Sequence, residues 1–291
     1  MGNHGHYYDI HPYDKADNPL KKILIITVNY KDVSPTNSLL NSLEQCGEKD
    51  QIKLIIVDNE SSDNTRKEIE IIKDNSTIEI HTITSKHNSY YWGGAAIALD
   101  QVDTSQFKWI IICNNDVVFN NPDIFLKLID MDNENYPIIG PRIQSSHSKK
   151  DLNPFLIKSI SVIQDIYYSL YYSNTITAKF VHAIGSILNW KSKINNQKSE
   201  ISKIYAPHGS CIIFSNKYFT HGGYLDTGFT MYGEEVSTGE IAKSLGLPIN
   251  YIPSLSLIHN DHQSTSKSSW KENFLHSKTT YYYIKNKYRR S

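Results

Sequence analysis

Three short apolar runs set the terms for this chain: "ILIIT" at 23–27, "LIIV" at 54–57 and "III" at 110–112. Each is far too short to cross a membrane and rich in β-branched residues, so each reads as a buried strand. Helical segments lie between them. Ser34-Pro35 opens the first, with Ser34 as N-cap, and Leu39, Leu40 and Leu43 give it an apolar face before Gly47. Ser62 or Asp63 caps the second, in which Ile69, Ile71 and Ile72 are expected to face the core. "TIEIHTI" alternates as a strand, "SYYWGGAAIALDQV" has the small residues of a closely packed helix, and Pro122 starts another helix. Strands alternating with helices predict an α/β fold with a Rossmann-like, mostly parallel central sheet flanked by helices.

Composition narrows the function. The 291 residues carry 30 basic and 30 acidic side chains, a balance that leaves no electrostatic footprint for nucleic acid. Cys46, Cys113 and Cys211 are widely spaced in apolar surroundings and read as free, buried thiols of a reducing compartment. Residues 1–20 form a polar tail without an apolar signal core, and its His4, His6 and His11 are too loosely spaced to predict a metal site. The expected location is cytoplasmic, at or near the inner face of the cell membrane.

Polar residues gather where the strands end: Asn29 and Tyr30 after the first, Asp58 after the second, Asn114, Asn115 and Asp116 after the fourth. In open α/β sheets that edge is where ligands bind. There is no G-x-G-x-x-G after the first strand and no G-x-x-x-x-G-K-[ST] anywhere, so neither a dinucleotide fingerprint nor a P-loop is present. Two carboxylates at this edge would repel a diphosphate. A hard divalent ion on Asp116, Mg²⁺ or Mn²⁺, removes the conflict and keeps coordination positions open for phosphate oxygens.

Taken in order, these segments resemble the inverting glycosyltransferases of family 2, which have the GT-A fold. The likeness covers about residues 21–265. It rests on Thr27-Val28-Asn29-Tyr30, on "VDNESSD", on Asn88 through "WGGA", on Asn114-Asn115-Asp116, and on "GGYLDTGFTMYGEEVSTGEIAKSLG". The resemblance implies that Asp58 recognises the nucleoside base. It also implies that Thr27, Asn29, Tyr30, Asn59, Asn88, Trp92, Gly93, Asn114 and Asn115 lie around the nucleotide sugar. Asp116 would hold the metal, with the first carboxylate of the D-x-D-type motif replaced by an amide. His259, directly after the last apolar run, is preferred to His262 as a second metal ligand. Of the acidic pair, Glu235 takes the place of the catalytic base and Glu234 stands beside it. His208 and Gly209 fall where the family places acceptor-side groups.

The same resemblance divides the chain into a nucleotide-sugar half at 21–141, an acceptor-side insertion at 142–203, an acceptor and catalytic half at 204–265, and a basic aromatic extension at 266–291. The insertion has no clear helical period. "LPINYIP" and "SLSLIHND" read as two strands, and "YYYIKNKYRR" as an edge for peripheral membrane contact. The implied reaction moves a sugar from dTDP-rhamnose or a UDP-hexose to a lipid-linked glycan acceptor in bacterial surface polysaccharide synthesis, such as capsule or O-antigen. Two rivals stand beside it: a sugar nucleotidyltransferase, and a catalytically inactive nucleotide-sugar-binding module. The first would need more cationic groups than the single Lys31 after the first strand.

Overall fold

The computed structural model describes residues 21–178, 200–261 and 269–289. The tail histidines, His262 and the end of the expected insertion lie outside them. Nine strands form one sheet: β1 Ile23–Asn29, β2 Ile52–Asn59, β3 Glu79–Ser85, β4 Trp109–Cys113, β5 Val117–Val118, β6 Ile138–Ser145, β7 Ser202–Ile204, β8 Cys211–Ser215 and β9 Ile249–His259. Their spatial order is β3-β2-β1-β4-β8-β6-β9-β5, with β7 also on β9. The first four pair in parallel, β8 runs against both β4 and β6, and β6 and β9 are again parallel.

Eight helices accompany the sheet among the described residues: α1 Ser34–Glu44, α2 Asp63–Asp74, α3 Tyr90–Leu99, α4 Ile124–Asp130, α5 Val162–Tyr171, α6 Asn216–Thr220, α7 Glu234–Ser244 and α8 Trp270–Tyr288. Side chains alternate across a strand, so Ile23 and Ile25 join one core while Leu24 and Ile26 join the other. Leu39, Leu43, Phe125 and Leu128 close the first core; Trp92, Ala95, Ala98 and Ile241 close the second. Helix α3 sits so close to the sheet that a Cβ on Gly94 would lie 2.9 Å from Val28 Cγ2, which explains the small residues of "WGGAA".

Several local expectations change. Ser34 is the first helical residue rather than the cap; its N–H bonds Asp32 Oδ1 at 2.9 Å, and Val33 is the N-cap. Ser62 caps α2, accepting from the Thr65 N–H. Ile69 is buried, but Ile71 is 59% exposed because it falls on the outer side of α2. Pro122 precedes α4 in a turn. The expected pair of late strands is one continuous strand, β9. The segment without clear helical period contains α5, started by a capping box between Ser161 and Gln164. The stacking of its tyrosines, such as Tyr172 on Tyr281 of α8 at 5.2 Å, masks a simple apolar stripe.

The basic aromatic end is helix α8, docked by buried carboxylates. Asp226, 3% exposed, accepts from Tyr283 Oη and Tyr288 Oη, each at 2.7 Å, and pairs with Lys287 Nζ at 3.0 Å. Lys285 pairs with Asp165 and Arg289 with Glu240. These three cations therefore serve the fold by pairing with carboxylates of the chain. Burial raises the Asp226 pKa, but the hydrogen bonds from Tyr288 and Tyr283 outweigh it, and the net shift is downward. Its contribution is therefore present above the ordinary aspartate range and lost as pH falls. Asp226→Ala should cost about 2–3 kcal/mol, the effect of stripping a buried carboxylate from its donors. Urea unfolding at neutral pH measures this, and a loss below about 0.5 kcal/mol would mean that α8 is held by its apolar face alone.

Candidate active site

The register of the sheet assembles the site. Asn29 at the end of β1 lies beside Asp58 on β2, which lies beside Thr84 on β3. Directly after β4 ends, the chain turns through Asn114, Asn115 and Asp116 into β5. There Val117 pairs with His259, and the Asn260 N–H bonds the Asp116 carbonyl at 2.9 Å. That antiparallel pairing brings His259 Nε2 to 3.0 Å from Asp116 Oδ1. Both residues are buried, and neither atom completes a hydrogen bond, despite the short distance. Two buried donor atoms that converge without bonding each other fit the wall of a cation site. Among the described residues no group of three or more His, Cys, Asp or Glu side chains could hold a metal ion.

Asp58 is also nearly enclosed. Its Oδ2 accepts from Arg66 Nε at 3.2 Å, while Oδ1 is buried and unpartnered. Arg66 lies in the first turn of α2, and its link to Asp58 becomes visible only once that turn is folded back onto the strand end. Asn59 clamps the loop after β3: it donates to Asn88 Oδ1 at 2.8 Å and to the Tyr90 carbonyl, and accepts from the Ser89 N–H at 2.8 Å. Gly93 follows in α3 with Ser89 Cβ beneath it.

The other predicted residues divide by burial. Tyr30 is 43% exposed at the rim, with Lys31 Nζ over its ring. Thr27 and Asn29 have no exposed surface, and the Thr27 hydroxyl and Asn29 Nδ2 lack partners. Asn29 Oδ1 accepts from Thr36 Oγ1 at 2.7 Å, and Thr36 Oγ1 accepts from Asn115 Nδ2 at 3.0 Å. Asn115 thus ties the motif turn to α1. Asn114 is half-buried, its N–H bonded to the Ser210 carbonyl. Trp92 is corrected: at 1% exposure it belongs to the core and has no face to offer a sugar.

The acidic pair enters from the opposite side at the start of α7. Glu234 is buried and accepts from the Gly233 N–H at 2.9 Å; Glu235 is half-buried and accepts from the Gly209 N–H at 3.1 Å. Burial raises both carboxyl pKa values, and for Glu234 the neighbouring Glu235 adds to the rise. A Cβ on Gly209 would stand 2.9 Å from Glu235 Oε1, so a side chain there would push the carboxylate out of its present place. His208 precedes it. The Ser210 N–H points at His208 Nδ1, which fixes Nδ1 as acceptor and puts the proton of the neutral ring on Nε2. Burial, with His259 adding to it, lowers the His208 pKa to about 4, so the ring is a neutral hydrogen-bond donor at physiological pH. Its centroid is 6.0 Å from that of His259.

Left-handed backbone at non-glycine residues follows three strand ends and precedes the acidic pair, at Lys31 after β1, Glu60 after β2, Tyr90 after β3 and Tyr232, with φ 64°, 59°, 57° and 66°; Glu48 and Lys149 share it elsewhere. Such strain, of order 1–2 kcal/mol per residue, concentrates where side chains must be aimed.

The family profile described as Glycosyl transferase family 2 matches residues 23–222, more than half of the chain. The chain belongs to glycosyl transferase family 2. The low-salt glycan biosynthesis hexosyltransferase Agl10 of Haloferax volcanii is 27% identical over 257 residues, covering 86% of this chain and 73% of that relative. Among solved structures, S. aureus TarS 1-349 superposes with a TM-score of 0.55 at 13% identity, covering 82% of this chain and 60% of that one. GalNAc-T7 with UDP, GalNAc and Mn²⁺ gives 0.57 at 11%, covering 91% and 48%. Mannosyltransferase PcManGT from Pyrobaculum calidifontis, in complex with GDP-Man and Mn²⁺, gives 0.51 at 11%, covering 89% and 62%. The chain thus spans less than two thirds of these solved chains. At such identities the likeness is one of fold, and that fold is GT-A.

Glu234→Gln tests the electrostatics of this family 2 site. A carboxyl whose pKa is raised on folding stabilises the protein fully below the ordinary glutamate range and progressively less as pH rises. The variant should therefore melt higher than wild type at about pH 9 and level with it or lower at about pH 5. Melting curves across that range measure the crossover; a constant offset would show that Glu234 does not titrate there.

Proposed function

We propose that this chain is a metal-dependent inverting glycosyltransferase that moves a sugar from a nucleoside-diphosphate donor to a hydroxyl of a glycan acceptor. One observation supports this most: along a single sheet edge, Asn29 Nδ2, Asp58 Oδ1, Asp116 Oδ1 and His259 Nε2 are buried polar atoms without hydrogen-bond partners. Such groups cost about 1–3 kcal/mol each unless a ligand satisfies them.

Asp58 can only accept. It therefore pairs with a base that offers an N–H, and the ring N3–H of uracil or thymine and the N1–H of guanine are such donors. dTDP-rhamnose or a UDP-hexose meets that rule and remains the proposed donor. Asp116 and His259 would hold the divalent cation, and the imidazole favours Mn²⁺ over Mg²⁺. When bound, that cation supplies positive charge to the departing diphosphate. Glu235, with more exposed surface than Glu234, takes the proton of the acceptor hydroxyl as its oxygen attacks the anomeric carbon from the face opposite the diphosphate. Inversion follows from that in-line geometry, and a placed base contributes about 10²–10⁴ in rate. Glu234 is held by the Gly233 N–H and raises the proton affinity of the pair. His208 Nε2–H is available to orient an acceptor oxygen. The acceptor is proposed to be a lipid-linked glycan of a surface polysaccharide. No helix among the described residues is long and apolar enough to cross a membrane.

A thermal-shift panel of UDP-, dTDP- and GDP-sugars with Mn²⁺, Mg²⁺ or EDTA tests the reading. One base should raise the melting temperature in a metal-dependent way, and Asp116→Ala should abolish that dependence. An equal response in the variant, or none from any nucleotide sugar with folded wild type, would overturn it. In turnover, Glu235→Gln should lower kcat by about 10²–10⁴ while leaving donor affinity within about twofold.

A further inference from the structure

Gly209 poses a mechanical problem. Its N–H grips Glu235 Oε1 at 3.1 Å, and a Cβ there would displace that same oxygen. Glycine is also the residue with the least intrinsic hold on its own φ and ψ. A base positioned by glycine alone would be poorly positioned, so the residue needs an outside anchor. The structure supplies one from a distant part of the chain: Tyr91 Oη donates to the Gly209 carbonyl at 3.0 Å.

Tyr91 is itself well fixed. It lies in the first turn of α3, directly after Tyr90, whose φ is 57°. Asn59 holds that turn from the end of β2, next to Asp58, through Asn88 Oδ1, the Ser89 N–H and the Tyr90 carbonyl. The continuous path runs from the strand end that carries Asp58, through Asn59 and the 88–90 loop, to Tyr91, Gly209 and Glu235.

We propose that Tyr91 is a positioning residue: its hydroxyl anchors Gly209, and Gly209 in turn sets where the Glu235 carboxylate stands. The linkage crosses from the nucleotide edge to the acidic pair, so the base is aligned from the donor half of the molecule. Its catalytic meaning rests on the reading of Glu235 as base; the linkage itself does not.

Tyr91→Phe removes only the hydroxyl and keeps the ring. Tyr218→Phe is the control, since Tyr218 Oη makes a comparable bond to the Tyr224 carbonyl away from the acidic pair. The direct readout needs no substrate: ¹³C resonances of Glu side-chain carboxyls in selectively labelled protein, with Glu235 assigned by Glu235→Gln. The Glu235 resonance should move in Tyr91→Phe and stay in Tyr218→Phe. An unmoved resonance in Tyr91→Phe, or equal movement in the control, overturns the proposal. With the nucleotide sugar that best stabilises wild type, Tyr91→Phe should lower kcat about tenfold, as loss of one anchoring hydrogen bond implies, with the donor KM within about twofold. A changed KM at constant kcat would overturn the positioning role. If the resonance moves but no nucleotide sugar is turned over by wild type, the linkage stands and the transferase reading fails.

Discussion

Everything at this site depends on one strand pairing. Val117 lies opposite His259, and that contact joins the motif turn after β4 to the far end of β9. Residues 143 positions apart thereby share one buried corner at 3.0 Å. The two strands are neighbours at one end of the sheet path, and β5 is only two residues long. Asp116 directly precedes it, so the carboxylate stands at the strand's start. Neighbouring strands add Asn29 and Asp58 in register, which makes the edge a line of polar atoms backed by an apolar core.

The acidic pair faces a different balance. Glu234 and Glu235 occupy the first turn of α7, where the helix dipole favours negative charge by about 0.3–1 kcal/mol. Burial works against it and wins, since both carboxyls titrate above the ordinary range. A base kept on the basic side of glutamate binds a proton more readily near neutral pH, which is what proton abstraction from a hydroxyl requires.

Much of this was legible in the sequence, for identifiable reasons. Ile23, Leu54 and Ile110 begin runs whose composition has few alternatives, and a polar residue that interrupts such a run must be at its end. Asp58, Asp116 and His259 were placed at or beside strand ends that way. The sheet's reversal at β8 was not, because "CIIF" reads the same in either direction. Helix α5 was missed because its apolar period is carried by tyrosines that pair with α8. The single long β9 was divided at Pro253 and Ser254, where the register with β6 shifts between Pro141 and Arg142. Arg66, Tyr91 and Asp226 act across distances that spacing does not encode. Asp226 still had a signal, a lone carboxylate between aromatic residues ahead of the acidic pair. Trp92 illustrates the opposite error, since a large aromatic beside two glycines marks close helix packing as readily as a sugar platform.

On the proposed reading, Asp116 and His259 form one cation-binding corner for a nucleoside diphosphate. The most direct measurement is anomalous diffraction at the manganese edge, from crystals grown with Mn²⁺ and the nucleoside diphosphate that most stabilises the protein. The account predicts one strong peak within ligand distance, about 2.0–2.3 Å, of an Asp116 carboxylate oxygen and a His259 ring nitrogen, with diphosphate oxygens completing the shell. Nucleotide bound at the sheet edge with no manganese at that corner would contradict it.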